Sequence, residues 1–167
     1  MKSLVPLSSL ILSLCLLNSV NADEHGMFTT QSLTPEIALK AATRALEKCR
    51  SDGYQVAVAV VDRMGNMQVM IRDRYAGAHT PDTARRKAWT AASFRTNTSD
   101  LLDISGPGQP QSGLRDITDA LALGGGVLIE AGGSLVGAIG VSGAPGGDLD
   151  DVCAKVGIKA IEEDIAF

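Results

Sequence analysis

The chain is poor in aromatic residues: three Phe, two Tyr and one Trp among 167 residues, 4% in all. So few stacking platforms argue against a binder of single-stranded nucleic acid. Positive charge is also short, with 15 Lys and Arg against 19 Asp and Glu and a formal charge of -4. That balance argues against non-specific binding to nucleic acid, which needs a basic footprint. There are two histidines, His25 and His79, and three cysteines, Cys15, Cys49 and Cys153. No CxxC, CxxCH or HExxH occurs, so neither a zinc cluster nor a covalent haem attachment is written in the sequence. Gly140-Val141-Ser142-Gly143 lacks the G-x-S-x-G spacing of a nucleophile elbow. Gly124-Gly125-Gly126 precedes a strand rather than a helix, and no Gly-Lys-Ser/Thr follows. Close backbone packing at a strand start accounts for it better than a phosphate loop does.

The remaining composition, 45% hydrophobic and 20% charged with 18 Gly, is too apolar for a disordered chain. The length fits one domain of roughly 100–200 residues, with a core of Ala, Val, Leu, Ile and Gly. Met1-Lys2 opens a short positive start, and an apolar stretch follows over residues 4–17. Val20 and Ala22 occupy the small-residue positions of a cleavage site, and Asp23-Glu24 follows. Residues 1–22 are therefore expected to be a secretory signal peptide. The apolar stretch is shorter than the roughly 20 residues that span a bilayer. Leu14 precedes Cys15, where lipid attachment would need a small residue. Cleavage after Ala22 leaves 167 − 22 = 145 residues and, with Lys2 gone, 14 basic against 19 acidic side chains. The expected location is periplasmic or secreted. There, the remaining Cys49 and Cys153 are a candidate disulfide, the alternative being two buried thiols that pack as small hydrophobes.

Residues 23–32 are polar and expected to form a mobile N-terminal arm, with one domain over 33–167. Thr34-Pro35-Glu36 is a helix start: a side-chain cap, a first-turn proline and an acid at the positive end. Apolar spacing through Cys49 and a stop at Gly53 complete that helix. The run 56–61 is β-branched and short, a buried strand, and with 67–71 it makes a hairpin. Residues 73–79 are a loop. Thr80-Pro81-Asp82 repeats the helix start, and an Ala row at 84, 88, 91 and 92 allows very close packing. A short helix is expected over 97–103, a breaker-rich loop over 105–113 and another helical turn over 116–123. Residues 125–129 and 134–141 form a second hairpin, and a last helix begins at Asp148. Adjacent strands forming hairpins imply an α+β sandwich: a mainly antiparallel sheet with helices packed on it.

His79 stands in a loop just before a helix that carries Arg85, Arg86 and Lys87. An imidazole beside a row of cations suits an anionic ligand bearing a metal, and haem has an iron and two propionates. The alternative is a solvated histidine beside an ordinary basic helix face. Met64, Met67 and Met70 are soft ligands in principle and core filler more often. Asp148, Asp150 and Asp151 most simply complement a helix dipole, with a weak divalent-cation site as the alternative.

The chain resembles the GlcG/HbpS-like family, which includes the C-terminal domain of PduO-type proteins. Three blocks carry the likeness: 57–66 with its Asp62-Arg63-Met64-Gly65 turn, 84–94 with Lys87-Ala88-Trp89-Thr90-Ala91, and 124–129 continuing to 136–143. The likeness spans roughly residues 33–162. It implies a helix–sheet sandwich, usually homo-oligomeric, in which several relatives bind haem and the family carries a haem-degrading label. The leading expectation is thus an exported protein that binds haem b non-covalently for storage, scavenging or sensing. His79 would be the axial iron ligand, with Arg85, Arg86 or Lys87 near the propionates. A sensor kinase or a haem-uptake component is the implied partner. Two alternatives stay open: an enzyme that degrades haem or processes a small acid, and a sensing module without haem.

Overall fold

One strand, β1 (Ala57–Asp62), is buried on both faces, and the residues along it sort the molecule into layers. Val56, Val58 and Val60 belong to one core, and Ala57, Ala59 and Val61 to another, as the two-residue period of a strand requires. The protein is described by a computed structural model over residues 26–166. The expected signal peptide and His25 lie outside the described residues. The described residues from Gln31 onward form one unit. Among the described residues, no helix is long and apolar enough to cross a membrane.

The elements follow in the order α1 (Pro35–Ser51), β1, β2 (Met67–Arg72), α2 (Thr80–Phe94), α3 (Leu101–Ile104), a 3-10 turn (Ser112–Asp116), β3 (Gly126–Ala131), β4 (Ser134–Ser142) and α4 (Gly147–Lys159). The four strands form one sheet in the order β2-β1-β4-β3, with every neighbouring pair antiparallel. Helices α1 and α4 cover the face bearing Val58, Val60, Ile139 and Val141. Helix α2 covers the opposite face through Ala84, Ala88, Ala91 and Ala92. This is the α+β arrangement that the two hairpins predict.

The Ala row of α2 meets glycines on the sheet. A Cβ on Gly140 would collide with the Ala84 carbonyl oxygen, and one on Gly126 with the Lys87 carbonyl oxygen. Helix backbone therefore rests on strand backbone, which only residues without a side chain permit. On the other face, the disulfide Cys49–Cys153 ties α1 to α4, with S–S 2.08 Å and Cα–Cα 5.5 Å.

Several boundaries differ from the pattern in the sequence. Thr34 caps α1 as expected, its Oγ1 accepting the Ile37 N–H at 3.4 Å. Thr80 does not cap α2; its Oγ1 donates to the Gly77 carbonyl at 2.8 Å, and His79 takes the cap position without a side-chain bond. The turn expected over 116–123 lies earlier, at Ser112–Asp116. A helix cannot continue past it, because Asp119 sits at φ 70° and the Asp119 and Ala120 carbonyls accept bonds from Arg86 instead. Of the three methionines, Met64 and Met67 are exposed rather than core filler, and Met70 packs under α2.

The disulfide spans 104 residues of sequence. In the chain-entropy model, a loop of that size is worth about 4–5 kcal/mol. Reduction is therefore expected to lower the unfolding free energy by about that amount, measured by urea denaturation with and without reductant.

Candidate functional site

A cleft of about 660 Å³ opens where the start of α2 meets the loop between β4 and α4. Its polar lining includes His79, Arg86, Lys87, Ser142, Gly146 and Gly147. Its wall also includes Tyr54, Tyr75, Leu121, Leu123 and Pro145. The volume and the mixed lining are those of a small-molecule site, for which roughly 300–1,000 Å³ is usual.

His79 is exposed at the rim. Its carbonyl accepts the Thr83 N–H at 3.1 Å and the Thr83 hydroxyl at 3.0 Å, which fixes the backbone at the helix entrance. Its ring folds over Gly77: a Cβ there would stand 2.7 Å from Cε1 and 2.9 Å from Nδ1. Gly77 thus leaves the space that the imidazole occupies. The loop below is pinned by Asp73, which is buried and receives the Arg50 guanidinium fork at 2.9 and 3.0 Å and the Arg74 N–H at 2.8 Å. The hydrogen bond from Arg50 holds the Asp73 carboxyl below the usual carboxylate range, against the opposing effect of burial.

The three consecutive cations of α2 take different places. Arg85 turns away and pairs with Asp82 at 2.9 Å and Asp119 at 2.7 Å, outside the cleft lining. Arg86 lines the cleft, its Nε and Nη2 donating to the Asp119 and Ala120 carbonyls at 3.4 and 2.9 Å. Lys87 is only 1% exposed. Its Nζ donates to Asp150 Oδ2 at 2.8 Å and to the Val141 carbonyl at 2.9 Å. An ammonium so placed is already compensated, whereas Arg86 keeps one end of its guanidinium for the cleft.

The acidic cluster of α4 also divides. Asp148 is exposed in the first turn, where it complements the helix dipole. Asp150 and Asp151 are buried pins instead: Asp150 Oδ1 accepts the Ala144 N–H at 3.0 Å, and Asp151 Oδ1 accepts the Gly125 N–H at 2.6 Å. Burial pushes the Asp150 carboxyl above its ordinary range, while the Lys87 charge and its hydrogen bond pull it down. Among the described residues, no group of three or more His, Cys, Asp or Glu side chains is placed to hold a metal ion.

The Lys87–Asp150 pair has no part in the reading from sequence. A signal for it was present, because Lys87 falls on the same helical stripe as Ala84, Ala88 and Ala91. A lysine on a buried stripe demands a buried partner.

Removing one member of a buried pair strands the other, at a cost of roughly 3–5 kcal/mol. Lys87→Met is expected to destabilise the protein by about that much in urea denaturation, and the further change Asp150→Leu to recover part of the loss. The depressed Asp73 carboxyl contributes stability above the ordinary carboxylate pKa, and that contribution is lost as pH falls through its lower folded value. Asp73→Asn is therefore expected to flatten the fall in the urea midpoint below about pH 4.

The same architecture occurs in known proteins. A family model described as "Haem degrading protein HbpS-like" matches residues 33–159. A double mutant of HbpS from Streptomyces reticuli is similar in structure, with TM-score 0.77 and 37% identity, over 96% of this chain and 99% of that one. The structure of a PduOC:haem complex is similar with TM-score 0.74 and 30% identity, over 78% of this chain and 95% of that one. In sequence, the corrinoid adenosyltransferase PduO of Salmonella typhimurium is 33% identical over 122 residues, 71% of this chain. That match spans only 36% of PduO. From the family match over most of its length and the shared antiparallel sheet, the chain belongs to the HbpS-like family.

Proposed function

We propose that this protein binds haem b non-covalently after export to the periplasm or exterior, with His79 as the axial ligand. The observation that carries this reading is an exposed imidazole at the rim of an open cleft, with the Arg86 guanidinium in the same lining. The fit is chemical: an imidazole nitrogen for iron, an arginine for a propionate, and Tyr54, Leu121, Leu123 and Pro145 for the porphyrin edge. Haem, when bound, would supply its iron to storage, delivery or signalling. Gly77 makes room for the ring, and the Arg50–Asp73 bond holds the loop below it. Lys87, compensated by Asp150, supports the cleft from beneath rather than meeting a propionate, and Arg85 is occupied with Asp82 and Asp119.

The relative with bound haem, the family description and the Cys49–Cys153 disulfide support this reading. The disulfide suits an oxidising compartment, as does the signal-like start of the sequence. Assembly into a homo-oligomer and a sensor kinase or haem-uptake partner belong to the same proposal.

Titration with haem is expected to give a Soret band that saturates at micromolar haem. His79→Ala should weaken binding by more than about tenfold and alter the spin-state bands, while His25→Ala leaves them unchanged. Gly77→Ala, which displaces the ring, should weaken binding less. Acidification should release haem, because only an unprotonated nitrogen binds iron. Absence of any spectral change with wild-type protein refutes the reading. A spectrum that survives His79→Ala and vanishes with His25→Ala moves the ligand to the N-terminal arm.

A further inference from the structure

We infer that Tyr75 recognises the flat face of the bound macrocycle, so that the cleft takes a porphyrin ring whether or not the ring holds a metal. The inference deepens the haem reading above and rests on it for the class of ligand.

The chain has only two tyrosines, Tyr54 and Tyr75, and both line the cleft. They are held in different ways. Gly53, at φ 88°, ends α1: its N–H donates to the Arg50 carbonyl at 3.0 Å, and the Tyr54 N–H donates to the Cys49 carbonyl at 2.9 Å. Those two bonds make the Schellman turn that closes a helix. Tyr54 is thereby set half-buried against the core of the α1–α4 face.

Tyr75, in contrast, is 84% exposed. The backbone around it is nonetheless fixed. The flanking Asp73 and Ala76 are buried, and the Ala76 carbonyl accepts from the Arg72 guanidinium. The Tyr75 N–H donates to Oε1 of Gln55, the chain neighbour of Tyr54, at 3.4 Å. The Arg50–Asp73 pair ties the end of α1 to the same loop. The Tyr75 side chain is therefore free to turn on a backbone that stays in place.

This exposure is not that of a solitary surface residue. Leu123, also exposed, shares the cleft with Leu121 and Pro145. Apolar surface grouped around a cavity marks a ligand that covers it. An aromatic ring gains most from a partner with an extended π face, and that contact does not depend on a metal at the partner's centre. In the haem reading, His79 meets the iron and Arg86 a propionate. Tyr75 supplies the contact that metal-loaded and metal-free rings have in common.

The test is a fluorescence titration of the full mature protein with metal-free protoporphyrin IX, run beside a Soret titration with haem. Protoporphyrin is expected to saturate at micromolar concentration. Tyr75→Ala should weaken it by about tenfold. Tyr75→Phe, which keeps the ring and loses the hydroxyl, should retain most of the affinity. Both changes leave the backbone bonds of the loop in place, so the fold should persist. Met64→Ala removes an exposed apolar side chain outside the cleft lining and should leave the affinity unchanged. An equal loss there means general adhesion to apolar surface and overturns the proposal. Unchanged affinity after Tyr75→Ala, or a loss with Tyr75→Phe as deep as with Tyr75→Ala, also overturns it. Haem binding by a protein that protoporphyrin does not saturate overturns ring recognition and keeps the haem reading. Protoporphyrin binding that depends on Tyr75, in a protein that gives no Soret change with haem, keeps ring recognition and refutes His79 as an iron ligand.

Discussion

Helix α2 lies directly on the sheet backbone, and the other features of the molecule follow from that approach. Gly140 and Gly126 remove the side chains that would hold it away, and Ala84, Ala88, Ala91 and Ala92 remove the bulk on the helix side. Lys87 lies on the same buried stripe of α2, so its side chain is enclosed and its ammonium must find partners inside. It finds them at the end of β4 and within α4, at Val141 and Asp150. One ion pair therefore joins elements from both sides of the sheet, and a steric condition at two glycines becomes an electrostatic link between layers.

That link organises the cleft. Asp150 also accepts the Ala144 N–H, so the loop leading into α4 is held from the same carboxylate that meets Lys87. Asp151 holds the Gly125 N–H, which fixes the entrance to β3. The α2 side is fixed by Thr80 and Thr83 on neighbouring carbonyls and by the Arg50–Asp73 pair beneath the loop. The framework groups have their partners inside the protein. The His79 ring and one end of Arg86 are left over, and they share the lining of one space. Such a division between satisfied scaffold and unsatisfied lining is what a binding site requires.

The leftover groups are complementary in kind. An imidazole nitrogen can ligate a metal, while a guanidinium donates hydrogen bonds to an anion. A ligand with a metal and a carboxylate would use both. The apolar wall of Leu121, Leu123 and Pro145 favours a ligand with a hydrophobic body.

Much of the architecture was legible in the chain itself. The β-branched run 56–61, the hairpin turns and the Thr34-Pro35 start gave the elements and the antiparallel sheet, because these signals act over a few neighbouring residues. The Ala row and the Gly-rich strands also foretold a close helix–strand contact. The same local signals failed at 112–123, where the Asp119 and Ala120 carbonyls are claimed by Arg86 from a distant helix. They also could not separate Arg85, Arg86 and Lys87, which look alike in a row and end up in an external pair, in the cleft and in the interior. Nor could they decide between a disulfide and two thiols for Cys49 and Cys153, 104 residues apart in sequence and 5.5 Å apart at Cα. Periodicity is a property of neighbouring residues and is written in the sequence. The fate of a charge or a thiol depends on what the fold brings against it, and only the tertiary structure decides that.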